Sequence, residues 1–219
     1  AIAEMRAALE AEKLLPRAEA RALTRLLEEF ETGELYDLQE RYVLLFDRTR
    51  SLSLHMFEHV HGESRYRGQA MVDLQNLYAE KGLELGTSEL PDFLPLFLEF
   101  LSLLPRAEAY ELLGQPAHIF AAMAERLRKR DSAYEAVFRA LVALAMDKPK
   151  GELIAAALQA PDIDPNDLAA LDAAWEDEEV RFGPGAGDGC KDGLIARVRG
   201  GLRPAPGVPN SPENPATRH

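Results

Sequence analysis

Apolar residues recur along this chain at three- and four-residue intervals, the spacing that places them on one face of a helix. Leu35, Leu38, Tyr42 and Phe46 form one stripe, and Met71, Leu74, Leu77 and Tyr78 another. A third comprises Ala133, Ala136, Val137, Ala140, Leu141 and Leu144. It is opened by Ser132 with Glu135 three residues on, a spacing that predicts a capping box in which each side chain satisfies an orphan backbone N–H. Asp164-Pro165 ahead of Leu168, Leu171 and Trp175 predicts an N-cap followed by proline at the first helical position. Interruptions fall at Pro16, Gly33, Gly62, Gly82 to Thr87, Pro105, Gly114 to Pro116, Lys148 to Gly151 and Pro161. They divide the chain into about nine or ten helices. No self-similarity at a period of about 34 or 40 residues appears, which argues against a solenoid.

The pattern stops at Gly183. Residues 183–219 hold 8 of the 15 Gly and 6 of the 14 Pro with almost no periodic apolar positions. Such a segment cannot bury enough apolar surface to offset the entropy of ordering, so a disordered tail is expected, with at most a short helix around Leu194 to Arg199. The remainder, 1–182, reads as one helical domain, large enough to bury a core without crosslinks. Composition points the same way: 34 Leu and 33 Ala against 8 Val and 5 Ile favour an all-α fold over a sheet.

Charge narrows the function. The chain carries 25 Lys+Arg against 37 Asp+Glu, net −12. The tail has five basic and three acidic groups, leaving 20 basic and 34 acidic, net −14, on residues 1–182. That balance speaks against nucleic acid as a partner, because phosphate binding draws on a basic surface. The single cysteine, Cys190, excludes a disulfide framework and a cysteine-based zinc site. The longest apolar run, Phe93 to Leu104, is broken by Glu99 and is too short to span a bilayer, so no stable membrane association is expected. The first residues lack the basic start and apolar stretch of a secretory signal. They also lack an initiator Met, which suggests an N-terminus that is processed or truncated.

Two stretches could carry chemistry. The first, His55 to Gln69, contains His55, Glu58 and His59 in the H-x-x-E-H order of inverted zinc proteases, which on a helix would put two imidazoles on one face with Glu as general base. The same stretch reads alternatively as a recognition surface. Glu58, His59, His61, Glu63, Arg65 and Arg67 cluster where one helix stops at Gly62 and the next begins, able to hydrogen-bond an extended peptide. The plain alternative is that Arg65 and Arg67 pair with Glu58 and Glu63 to hold two helices together. The second stretch runs from Glu89 to Leu101. Pro91 and Asp92 suit a helix start, and the helix beyond is apolar nearly all round, either a core helix or one wall of a groove. Glu89 and Asp92 beside Leu94 and Phe97 would suit a peptide that mixes arginine with apolar side chains. No phosphate-binding glycine loop, nucleophile elbow or EF-hand loop is present, and Asp162, Asp164, His118 and Trp175 read as structural.

Leu35 to Val43, Phe46-Asp47-Arg48, Glu58 to Arg65, Arg67 to Leu74 and Leu90 to Pro95 resemble the assembly chaperones of respiratory nitrate reductases. These are a branch of the TorD/DmsD-like chaperones of molybdenum enzymes, and the resemblance covers roughly residues 20 to 182. It implies an all-helical, cytoplasmic, non-catalytic protein with no cofactor or metal of its own. Its partner would be the N-terminal, leader-like segment of the catalytic (alpha) subunit, held competent for molybdenum cofactor insertion before docking at the membrane. The family's Glu-x-x-Asp element falls on Glu89 and Asp92. The His that commonly follows that Asp in the wider group is Phe93 here, and members usually carry a helix ahead of the region seen in this chain. The implied peptide-binding residues are thus Glu58, His59, His61, Glu63, Arg65, Arg67, Glu89, Asp92, Leu94 and Phe97. An acidic body fits a basic, arginine-bearing partner. A zinc-dependent hydrolase using His55 and His59, or a plain helical scaffold, are the alternatives. Titration of His59 and His61 would make affinity change between about pH 6 and 8.

Overall fold

The computed structural model describes residues 1–61, 65–86 and 89–176, with the side chains of 61, 65, 66 and 174–176 outside the description. The expected boundary at Gly183, the tail, its short helix and Cys190 therefore lie outside the described residues. Among the described residues eleven helices follow one another: α1 (Ile2–Glu12), α2 (Arg17–Thr32), α3 (Leu35–Phe46), α4 (Glu58–His61), α5 (Arg65–Glu80), α6 (Leu94–Ser102), α7 (Arg106–Gly114), α8 (Ala117–Lys129), α9 (Glu135–Leu144), α10 (Gly151–Leu158) and α11 (Leu168–Glu176). A single 3-10 turn, Arg50–Leu52, sits between α3 and α4. The fold is all-α: the described residues contain no strand, only one isolated antiparallel bridge between His55 and Phe93.

Proline and glycine set several of the boundaries. Pro16, Pro105 and Pro116 are the cap residues of α2, α7 and α8, positions where a missing N–H costs nothing. Helix α5 ends in a Schellman motif, with Gly82 at φ 82° and bonds from Leu83 N–H to the Tyr78 carbonyl and Gly82 N–H to that of Ala79. Helix α8 ends the same way on a non-glycine residue: Asp131 takes φ 49°, Ser132 N–H bonds to Leu127 and Asp131 N–H to Arg128.

Three local expectations are corrected. Helix α9 begins at Glu135, and the Ser132 hydroxyl makes no hydrogen bond, because Ser132 serves the Schellman turn of α8 instead of a capping box. The cap of α11 is Asp167, whose carboxylate accepts from Ala170 N–H; Asp164 folds back on Asn166. Helix α6 starts at Leu94 with Pro95 in its first turn, three residues after Pro91. Residues 91–93 are held out of the helix by the pairing described below.

Helix α8 is the centre of the molecule, packed on α9 and α10. Eight of its residues are buried, from Ala117 to Leu127. One of them is charged. Arg126 is 1% exposed and donates from Nη1 to the Ser51 carbonyl and from Nη2 to the carbonyls of Ala157 and Ala160. It thus ties the 3-10 turn and the end of α10 to the central helix, satisfying carbonyls that the helix end leaves over. Helix α6 lies in the core, with Leu94, Phe97, Phe100 and Leu101 all buried. Rings of Phe46, Tyr134 and Phe138 join α3 to the α9 region, Phe46 and Tyr134 meeting edge-on at 5.0 Å. The stripe on α3 matches the expected one in part: Phe46 is buried, Leu38 is half-buried and the partly exposed Tyr42 packs its ring 5.2 Å from Phe46, whereas Leu45 joins the core and Leu35 faces outward beside Tyr36 and Val43.

The turn between α2 and α3 depends on a glycine for space and not for φ, which is −78° at Gly33. A Cβ there would stand 2.8 Å from the Glu29 carbonyl oxygen and 3.1 Å from the Leu38 side chain. Gly33→Ala is expected to cost about 1–3 kcal/mol, as other overpacking changes do, read from the urea midpoint.

Candidate functional site

The buried stretch of chain between α3 and α4 organises the candidate site. From Thr49 to Phe57 the backbone is largely non-helical and largely buried, so its N–H and C=O groups need partners. Asp92 supplies several. It is 0% exposed; its Oδ2 accepts from Phe57 N–H at 3.0 Å, its Oδ1 faces His55 Nδ1 at 3.3 Å, and its carbonyl accepts from Met56 N–H. Leu94 N–H in turn donates to the Leu54 carbonyl at 2.8 Å, and the rings of His55 and Phe93 lie 5.4 Å apart. Tyr78 from α5 closes the back of this junction, its hydroxyl donating to the Pro91 carbonyl at 2.7 Å. Burial, and secondarily the Asp92 charge, push the Tyr78 pKa far up, so the phenol remains a donor.

His59 Nε2 meets the Ser53 carbonyl at 2.8 Å, a bond that fixes Nε2 as the protonated nitrogen of a neutral ring. The ring keeps contact with a small pocket it lines, yet desolvation in this dense packing lowers its pKa. The nearby Arg126 charge acts in the same direction, while the Ser53 hydrogen bond, Glu58 and Asp92 oppose it. The net effect on His59 is downward from its ordinary 6.5. Glu58 and Arg67 form an ion pair at 3.2 Å, each about one-fifth exposed, joining α4 to α5. This realises one of the internal pairs that the plain alternative invokes.

The ten nominated residues thus divide. Asp92, Leu94 and Phe97 are buried and build the junction, so a bound peptide does not reach them in this conformation. Glu58, His59 and Arg67 surround it, and Glu89 is exposed on its approach. Glu63 and the side chains of His61 and Arg65 lie outside the described residues. The H-x-x-E-H pattern does not form a helical ligand pair: His55 sits in the bridge ahead of α4, turned to Asp92. Among the described residues no three His, Cys, Asp or Glu side chains gather as a metal site.

Beside the junction opens a groove of about 460 Å³ that sequence reasoning did not single out. Tyr42, Val43 and Asp47 of α3 and its C-terminus form one wall, and His55, Glu58 and Phe93 the other, with Arg48 and Arg50 also contributing. Its signal in the sequence was Val43, an apolar position on α3 beyond the expected stripe.

Two outcomes check the junction. Asp92→Ala leaves the Phe57 N–H without its acceptor and is expected to cost about 1–3 kcal/mol, with Asp92→Asn, which keeps an acceptor, losing less. His59, depressed below its ordinary 6.5 in the folded protein, binds fewer protons there than when unfolded. Stability is then full above that value and falls as pH drops through it, and urea midpoints of His59→Gln are expected to show a shallower fall.

A family profile described as nitrate reductase delta subunit matches residues 11–140, which take in the junction and the groove. The chain is 46% identical over 194 residues, 88% of its length, to the nitrate reductase molybdenum cofactor assembly chaperone NarJ of Escherichia coli (strain K12), covering 80% of that protein. It is 43% identical over 168 residues to the probable nitrate reductase molybdenum cofactor assembly chaperone NarW of the same strain, covering 77% of this chain and 72% of that one. Identity to the probable NarJ of Bacillus subtilis (strain 168) is 32% over 139 residues, 62% of this chain and 76% of that protein. All three are named as assembly chaperones and none as a catalyst. With a match across more than half its length and relatives at this identity, the chain belongs to the nitrate reductase delta subunit family.

Proposed function

We propose that this protein is a non-catalytic chaperone of nitrate reductase assembly that binds the N-terminal, leader-like segment of the catalytic (alpha) subunit. It acts in the cytoplasm, keeping that subunit open to molybdenum cofactor insertion before it docks at the membrane. The observation that carries the reading is the similarity to the Escherichia coli assembly chaperone along 88% of this chain. No helix among the described residues is long and apolar enough to cross a membrane, which is compatible with it.

The groove beside the junction is the surface we assign to the peptide. Exposed Tyr42 and Val43 offer apolar contact, and exposed Asp47 offers a partner for a basic side chain. Asp92 and Leu94 act at a distance by fixing residues 54–57 in place through their hydrogen bonds. Long-range attraction from the acidic body raises the encounter rate with an arginine-bearing segment.

Calorimetry with a synthetic leader-like peptide and the full chain tests this, together with co-purification of the catalytic subunit with and without its first residues. Binding is expected to depend on those residues, and Val43→Asp and Asp47→Lys, both at exposed positions, are each expected to weaken it about tenfold or more. Absence of binding to the peptide, or co-purification indifferent to the first residues, would overturn the reading. Binding that both substitutions leave unchanged would remove the groove.

A further inference from the structure

The chain between α3 and α4 also borders a smaller pocket, of about 270 Å³, that is completed by the α10–α11 connection and α11. Its charge runs against that of the molecule. Arg48, Arg50 and Arg126 line it with Glu58 as the one carboxylate, so three positive groups less one negative give +2 on a chain of net −12. Glu58 is moreover held by Arg67 at 3.2 Å. The rest of the lining is largely apolar, with Ala160, Pro161, Ile163 and Leu171 from the α10–α11 side. Apolar walls with a few convergent charged groups are the mark of a small-molecule site, and the volume lies near the lower end for such sites.

Arg126 contributes from the buried side. Its Nη1 and Nη2 hold three carbonyls, which satisfy hydrogen bonds but bring no negative charge. Asp162 stands 3.9 Å from its Nε and already binds Arg130 at 2.7 Å. Burial draws the Arg126 pKa down, with Asp162 opposing the fall and Arg130 adding to it. A buried cation so placed gains from a further counter-ion. Arg48 and Arg50 are exposed. Thr49 between them is extended, at φ −129° and ψ 140°, and is itself buried with its hydroxyl 3.2 Å from that of Ser51. Side chains that flank an extended residue leave the backbone on the same side, which brings two guanidiniums to one rim. Guanidinium forks match phosphate oxygens, and a phosphate monoester carries close to two negative charges at neutral pH, the complement of the lining.

We propose that this pocket binds a small organic phosphate, a monoester whose compact apolar body rests on Pro161, Ile163 and Leu171. Arg48 and Arg50 hold the phosphate, and Arg126 adds its charge from beneath. The occupant bridges the 3-10 turn and the α10–α11 connection. The assignment does not rest on a peptide in the neighbouring groove, although Arg48, Arg50 and Glu58 border both.

Phenyl phosphate is a suitable probe, titrated into the full chain by calorimetry and by amide spectra of isotopically labelled protein. It is expected to bind at least about tenfold more tightly than inorganic phosphate, which lacks the apolar body, and than phenol, which lacks the charge. The amide shifts are expected to concentrate on Thr49, Ser51, Ala160 and Ile163 and to spare α1 and α7. Arg48→Ala, at an exposed position, removes one charge-assisted contact and is expected to weaken binding about tenfold or more. Ile163→Asp, which puts a carboxylate on the apolar wall, is expected to abolish it, and an unchanged amide spectrum outside the pocket verifies that each variant folds. Absence of binding by phenyl phosphate, or inorganic phosphate or phenol binding equally well, would overturn the proposal. So would shifts centred on another surface, or an affinity that folded Arg48→Ala retains in full.

Discussion

A largely buried and largely non-helical stretch of chain, Thr49 to Phe57, is the constraint around which these helices are arranged. Helices satisfy their own backbone; apart from its one 3-10 turn this stretch does not, and water does not reach most of it. Two fully buried charges of opposite sign provide for it. Asp92 accepts the Phe57 N–H from one side, and Arg126 donates to the Ser51 carbonyl from the other. The central helix α8 and the start of α6 are thereby fixed to the same short segment, and with them the groove between α3 and Phe93. Charged side chains suit this task because their hydrogen bonds are shorter and stronger than neutral ones, provided the polar atoms find partners.

The legible parts of the fold were those written by single residues with strong local effects. Pro16, Pro105, Pro116 and Gly82 act through φ or a missing N–H, which no tertiary contact can reverse, and the helix boundaries fell beside them. Capping residues were less legible because several serve equally well. Asp164 and Asp167 both offer a carboxylate, and the choice between them rests on the turn closed by Asp167 N–H to the Asp164 carbonyl, after which only the Asp167 carboxylate meets a first-turn N–H of the helix. Ser132 had the right neighbour in Glu135, yet the left-handed Asp131 before it committed Ser132 to the preceding helix.

The candidate site was legible as a polar cluster and not as an orientation. Nothing local distinguishes an Asp that meets a partner from one that serves the interior. Asp92 and His55 are 37 positions apart, and their meeting decides that His55 is no helical metal ligand and that Asp92 is no surface contact. The apolar stripe on α3 was legible in part: its period was right and Phe46 is buried, but Leu45 is buried beside it while Leu35 faces outward.

The three carbonyl bonds of Arg126 have a further consequence for how the molecule breathes. Helix α10 has no fully buried side chain, and Leu153 on it is half exposed, so little apolar area holds it in place. Its C-terminal carbonyls at Ala157 and Ala160 are instead fastened by one guanidinium. Release of this end would leave a guanidinium that is 1% exposed with one of its three carbonyl acceptors, so a charge-assisted contact resists the opening that the sparse burial of α10 would otherwise allow. The attachment of the chain where it turns toward α11 thereby rests on a single buried cation.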